Sequence, residues 1–345
     1  MKRLCSKLSL FSLIIVILLV SSGFSSQLTS EKKNQPKGKK PYKVAALFPG
    51  KARDGGFMEA GLNGLLKARD QLGVEISYVE QIKPETGAIT EALRELAEGK
   101  PDLIVSHGGQ ANAAAQTVAK EFPNIKFVVT QGSVTGKNLS SYQVLQEESA
   151  WLAGAAAGML TKTNIVGHIS GVRVTPGLLG RAAFADGLKY TNPTATFLTT
   201  FNGNQDDPAV ARKAAEAEIA AGADIIFTML NAGRIGAIEA CRENGVFQIG
   251  NVRDWYADAP DVFIASAIAD SSQTVYSAIS DLVGKDWEGG VIKKIGIDNP
   301  DAVRLALAPT VPQEVADKIA ELSKKLASGE IKINLTYDGP EFEVK

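Results

Sequence analysis

An alternation of short apolar runs with helix-period segments runs along this chain, stops, and starts again. Lys43 to Phe48 is an apolar run stopped by Pro49-Gly50, as expected of a buried strand. A helix is predicted from Met58 to Leu72, a strand from Val74 to Val79, and a helix from Thr86 to Ala97 that ends at Gly99-Lys100-Pro101. A strand from Asp102 to Ser106, a helix from Ala111 to Glu121 and a strand from Lys126 to Thr130 complete the first set. The second set opens with an Ala/Gly-rich helix from Ser149 to Leu160. It continues with strands at 165–169, 196–201, 224–228 and 247–250, separated by helices at 178–190, 209–221 and 233–244. Asp207-Pro208 supplies an N-cap and a first-turn proline for the middle helix. Strands alternating with helices imply a parallel sheet covered on both faces. Two such sets predict an α/β fold of two Rossmann-like lobes, and 345 residues suffice for both plus a leader.

The first forty residues are a separate object. Lys2, Arg3 and Lys7 precede an apolar stretch from Leu8 to Val20, and Ser21 to Ser26 offers small residues for cleavage. Residues 1–26 read as a signal peptide and 27–41 as a flexible, Lys-rich tether. The apolar stretch is short for a membrane span, which needs about 20 residues, so an uncleaved anchor is the lesser reading. Cys5 precedes the apolar run, where a lipidated cysteine would follow it. A periplasmic, monomeric mature protein is expected. Only Cys241 would remain after cleavage, as a buried thiol without a disulfide partner. With 37 Lys+Arg against 38 Asp+Glu, nothing is built to neutralise a phosphate backbone, and nucleic acid is not an expected partner.

In doubly wound sheets the loops at the carboxyl ends of the strands line the ligand crevice. The loop after the first strand carries Asp54, Gly55, Gly56 and Phe57. Asp54 can accept ligand hydrogen bonds or cap the next helix, and Phe57 can offer a ring face or join the core. The loop after the third strand carries His107, Gly108, Gly109, Gln110 and Asn112, whose amides suit the edge of a heterocycle. In the second lobe the matching loops carry Ser170-Gly171, Asn231 with Gly233, and Asn251 with Arg253, Asp254 and Trp255. Trp255 either faces the ligand or packs on the lobe rim. His107 and His168 have no ligand-spaced carboxylate or thiol nearby, so no metal or other cofactor is expected. There is no nucleophile elbow, P-loop or dinucleotide fingerprint, and no enzyme activity is expected.

The order of several segments resembles the basic membrane protein family of ABC-transporter solute-binding proteins. These segments are Asp54-Gly55-Gly56-Phe57, Pro123 to Phe127, Glu147 to Gly154, Val166 to Gly171, Asp207-Pro208, Gly222 to Phe227 and Ile249-Gly250. The resemblance spans about residues 42 to 285 and implies the type I periplasmic-binding fold, a purine-nucleoside-like ligand and an inner-membrane permease as partner. Phe57 matches the family's stacking aromatic. Arg181 stands where a second aromatic is expected, and a guanidinium can still stack on a ring. Val252 stands in place of the ribose-binding Asp, and Ala269 in place of a Lys. These departures remove polar partners for a sugar, each worth about 1–3 kcal/mol when a buried hydroxyl is left unpaired. The expected ligand is therefore a free purine base or a similar planar heterocycle.

The expected site comprises Asp54, Phe57, Gln110, Asn112, Arg181, Asn231, Gly233, Asn251, Asp254 and Trp255. The expected lobes are 42–135 with about 270–292, and about 143–269, with 293–345 belonging to either. Hinges are expected near Gln131 to Val144 and Ser266 to Ser272. Competing readings are a purine-nucleoside binder, a ligand sensor for a membrane receptor, a nucleoside hydrolase and a sugar-binding relative. The leader and the lack of a helix-turn-helix set aside a DNA-binding repressor.

Overall fold

The computed structural model describes residues 40–344, so the signal-peptide reading and most of the tether lie outside the described residues. The chain builds β1 (Lys43–Leu47), α1 (Phe57–Leu72), β2 (Glu75–Val79), α2 (Thr86–Glu98), β3 (Leu103–His107), α3 (Asn112–Glu121), β4 (Lys126–Thr130) and β5 (Leu139–Val144). It continues with α4 (Gln146–Leu160), β6 (Ile165–Ser170), α5 (Thr175–Thr191), β7 (Thr196–Phe201), α6 (Pro208–Ala220), β8 (Ile225–Met229), α7 (Arg234–Asn244), β9 (Phe247–Val252) and β10 (Phe263–Ala269). The last elements are α8 (Ser272–Gly284), β11 (Ile292–Ile295), β12 (Val303–Leu307) and α9 (Gln313–Ala327).

Two six-stranded sheets form, ordered β11-β5-β4-β3-β1-β2 and β12-β10-β9-β8-β6-β7. All pairings are parallel except β10 with β12. Each sheet reverses its strand order at one point, between β1 and β3 in the first and between β6 and β8 in the second. In such sheets the crevice at that switch point receives the ligand.

Both faces of each sheet are covered, so the central strands read as continuous apolar runs. In the first lobe Val44, Ala46 and Phe48 pack with Leu62 and Leu65 of α1 and Val275 and Ile279 of α8. Ala45 and Leu47 face Leu93 of α2 and Val118 of α3. In the second lobe α4, α5 and α9 share one core with Phe227 and Ile249, while α6 and α7 cover Ile169 and Ile226. Helices α4 and α5 approach closely because Gly154 and Gly187 face the opposing backbone; a Cβ on Gly187 would overlap the Trp151 carbonyl.

The helix after the fifth strand of each lobe is exchanged: α4 joins the second lobe and α8 the first. The chain therefore crosses at Leu145, at Asp270-Ser271, and again between β11 and β12. The stretch expected as a first hinge, Gln131 to Val144, ends in β5 of the first sheet, and the crossing falls just after it. Leu145 N–H donates to the Ile295 carbonyl (2.9 Å), and Ile297 N–H donates to the Glu148 carboxylate (2.6 Å), tying two crossings together. Within 293–345, β11 joins the first lobe and β12 and α9 the second. Residues beyond α9 lie along the edge strand β7, where Phe342 N–H donates to the Thr199 carbonyl (2.8 Å).

Candidate functional site

The switch points aim the loops after β1 and β3 at those after β6 and β8. Across that gap the lobes meet: a Cβ built on Gly56 would stand 3.0 Å from Asn231 Oδ1. Beside this contact lies a cleft of about 490 Å³. The first lobe lines it with Gly55, Gly56, Glu59 and Asn63, the second with Val252, Arg253, Asp254 and Arg304. Asp270 and Ser272 of the second crossing and Asp301 close the wall.

Charge in this cleft is uneven. Arg253 pairs with Asp258 (2.8 Å), and Arg304 donates to the Pro300 carbonyl (3.0 Å). Glu59, Asp254, Asp270 and Asp301 take part in no ion pair among the described residues. Glu59, Asp254 and Asp270 instead accept from backbone N–H groups of Gly55, Tyr256 and Ser272.

The nominated residues divide into groups. Asp54 accepts from Gly56, Met58 and Glu59 N–H, so its carboxylate caps α1. Phe57 is half-buried and stacks on His107 (centroids 4.1 Å apart, planes 23° apart). His107 is sealed, its ring held by the Phe57 carbonyl (2.8 Å) and Thr130 Oγ1 (2.8 Å), and burial lowers its pKa to about 4. A neutral, rigid imidazole thus backs the phenyl ring. Gln110, just beyond β3, is exposed. Asn112 is engaged in place, its amide exchanging hydrogen bonds with Ser133 (3.2 and 3.3 Å).

In the second lobe Asn231 N–H and Gly233 N–H both donate to the Gln205 carbonyl (3.0 Å each). The Asn231 amide donates to Gln205 Oε1 (3.3 Å), which leaves Oδ1 toward Gly56. Asp254 reaches the cleft. Trp255 is half-buried, with the Arg253 guanidinium 3.6 Å and the Arg234 guanidinium 4.4 Å from its ring centroid. Its Nε1 donates to the Asn251 carbonyl (2.7 Å). The indole is packed on the lobe rim rather than left open as a platform. Arg181 is also occupied: its side chain, 9% exposed, pairs with Glu341 (2.8 Å) and lies 4.7 Å from the Tyr337 ring and 5.1 Å from Phe201.

Two features were not read from the sequence. Arg234, the first residue of α7, is 1% exposed. It donates to the Thr228 and Leu230 carbonyls (3.0 and 2.6 Å), to Thr228 Oγ1 (2.6 Å) and to Asn251 Oδ1, with no carboxylate partner. Burial, with Arg253 nearby, lowers its pKa to about 9. A cation opposes the helix dipole at an N-terminus, so an Arg directly after Asn231-Ala232-Gly233 was a usable signal for another role. The second is the backbone conformation of Val252, whose φ is +73°. Arg253 N–H donates to the Asn251 carbonyl (2.9 Å) across it, a γ-turn with positive φ. A β-branched residue there is strained, and the turn directs Val252, Arg253 and Asp254 into the cleft.

The Bmp family model, described as ABC transporter substrate-binding protein PnrA-like, matches residues 42–336. The chain belongs to this family. Its relatives carry differing names. Transcriptional activator protein med of Bacillus subtilis is 24% identical over 282 residues, covering 82% of this chain and 87% of that protein. Basic membrane protein A2 of Borrelia garinii is 26% identical over 296 residues, covering 84% and 87%. An ABC transporter solute-binding protein from Aeropyrum pernix superposes with a TM-score of 0.75 at 22% identity, covering 86% of this chain and 94% of that one. That likeness extends to the fold of two lobes with parallel-dominant sheets. Membership in a substrate-binding family accords with a binding rather than a catalytic role. No described helix is long and apolar enough to cross a membrane.

Proposed function

We propose that this protein is the extracytoplasmic receptor of an ABC importer and closes its lobes on a purine base or a similar planar heterocycle. The observation that carries this reading is the Phe57–His107 stack, placed beside the Gly56–Asn231 meeting of the lobes. A phenyl ring held from behind by a buried neutral imidazole is a preorganised platform for a flat ring. Gln110 and Asn251 offer amide groups to a heterocycle edge. With Trp255 packed against the Arg234 and Arg253 guanidinium groups and Arg181 set between Tyr337 and Phe201, the stacking load falls on Phe57 alone. The leader supports export, and a membrane permease is the partner that would read the closed form.

A sugar is the second reading, favoured by Glu59, Asp254, Asp270 and Asp301 in the cleft wall, since carboxylates accept well from hydroxyls. Thermal-shift screening of adenine, guanine and hypoxanthine against their nucleosides and glucose separates the two. The purine-base reading requires the bases to give the largest shifts, with Phe57→Ala removing them. Larger shifts with nucleosides or glucose would overturn it.

A further inference from the structure

We infer that Arg234 is a positioning residue that fixes Asn251 as a hydrogen-bond donor, so that the site selects purine bases carrying a ring carbonyl over adenine. This inference rests on the purine-base reading above.

A guanidinium has only N–H donors, whereas an Asn amide has one acceptor and one donor end. The Arg234 side chain bonds Asn251 Oδ1, so the amide can sit only one way round. Its Nδ2 then points away from the arginine. That nitrogen has no protein acceptor among the described residues, and Asn251 is half-exposed at the carboxyl end of β9, directly before the cleft-lining Val252 to Asp254. The result is an unpartnered N–H donor on the second lobe whose orientation a sealed cation sets. The same cation polarises the amide, which strengthens the outward N–H as a donor.

Both terminal nitrogens of the arginine are held in place. Thr228 and Leu230 bind it from β8 and the loop that follows, and Trp255 lies over its plane. The Trp255 Nε1–H bonds the Asn251 carbonyl, so both ends of residue 251 are pinned. The geometry ties the ends of β8 and β9 into one rigid floor. Among its own bonded partners only neutral groups appear, and its Nε has no partner. A ligand oxygen at Asn251 Nδ2 fits this field, whereas an amino group there would face donor to donor. Hypoxanthine and guanine carry such an oxygen at the position where adenine carries an amine.

Asn251→Asp tests the assignment because it moves stability and selectivity in opposite ways. The introduced carboxylate gives Arg234 a counter-ion, so the unliganded midpoint temperature should rise. The outward group changes from donor to acceptor. Titration calorimetry with hypoxanthine and adenine on the full mature protein should show wild type favouring hypoxanthine by about ten- to hundredfold. N251D should reverse that preference, and Asn251→Ala should abolish it without raising the midpoint. A purely structural role would raise the N251D midpoint and leave the base ratio unchanged, which overturns the inference. Wild type that favours adenine overturns it too while leaving the purine-base reading intact. Wild type that binds neither base but binds a nucleoside or glucose overturns both.

Discussion

Glu218 lies on α6 with its carboxyl sealed against β6 and β7. One oxygen accepts from Thr200 Oγ1 (2.8 Å), while the other is sealed against Gly167 of β6. Burial raises this carboxyl well above the usual 4.5. The folded protein therefore holds a proton that the unfolded chain releases near pH 4.5. A raised folded value means the stabilisation is complete below the unfolded pKa and is lost as pH rises toward the folded one. While only the unfolded state is ionised, the loss approaches about 1.4 kcal/mol per pH unit. Glu218→Gln keeps the shape without the titration and should remove that slope. His107 and His168 are buried neutral, with pKa values of about 4 and 3, and they make both proteins less stable as pH falls below about 6.5. That contribution cancels in the difference. Urea unfolding of wild type and E218Q at several pH values between 5 and 8.5 should give curves that diverge as pH rises, with the variant gaining on wild type. Parallel curves would refute the assignment of a protonated, buried Glu218.

Two further outcomes follow from packing. Gly187→Ala drives a methyl into the Trp151 carbonyl of α4, against backbone that cannot rotate away, and should cost at least about 1–3 kcal/mol in urea unfolding. Glu341→Ala removes the carboxylate shared by Arg173 and Arg181. It should lower stability by about 1–2 kcal/mol, less than the ~3–5 kcal/mol of a sealed pair because Glu341 is partly exposed, and should speed proteolysis beyond Tyr337.

The parallel sheets were legible because each central strand is an apolar run with turn residues behind it, such as Val44 to Phe48 before Pro49-Gly50. The exchange of α4 and α8 between lobes was only partly legible. Leu139 to Val144, a mixed run of Leu, Ser, Tyr, Gln and Val, read as a connector because its serines and Gln143 hid a buried strand. In the sheet those groups find partners: Ser141 Oγ donates to the Val134 carbonyl (2.7 Å), and Gln143 Nε2 to that of Gly132 (2.5 Å). The nominated site shows the same limit. A loop position can be read from sequence, but whether Asp54 faces a ligand or caps α1 depends on which N–H groups lie nearest. Trp255 lies in the loop after β9 and Arg181 on α5. Their partners Arg234 and Glu341 lie 21 and 160 residues away along the chain, and no local pattern pairs them with Trp255 and Arg181. Arg234 alone broke a local rule, a cation at a helix N-terminus, and it proved to be bonded to Asn251.

The platform at Phe57 is the centre of the account, and native mass spectrometry of the protein as purified, followed by release and identification of what it carries, tests it most directly. The expected result is a purine base, one equivalent per chain, lost in Phe57→Ala. A hexose or an intact nucleoside at the same stoichiometry would contradict it.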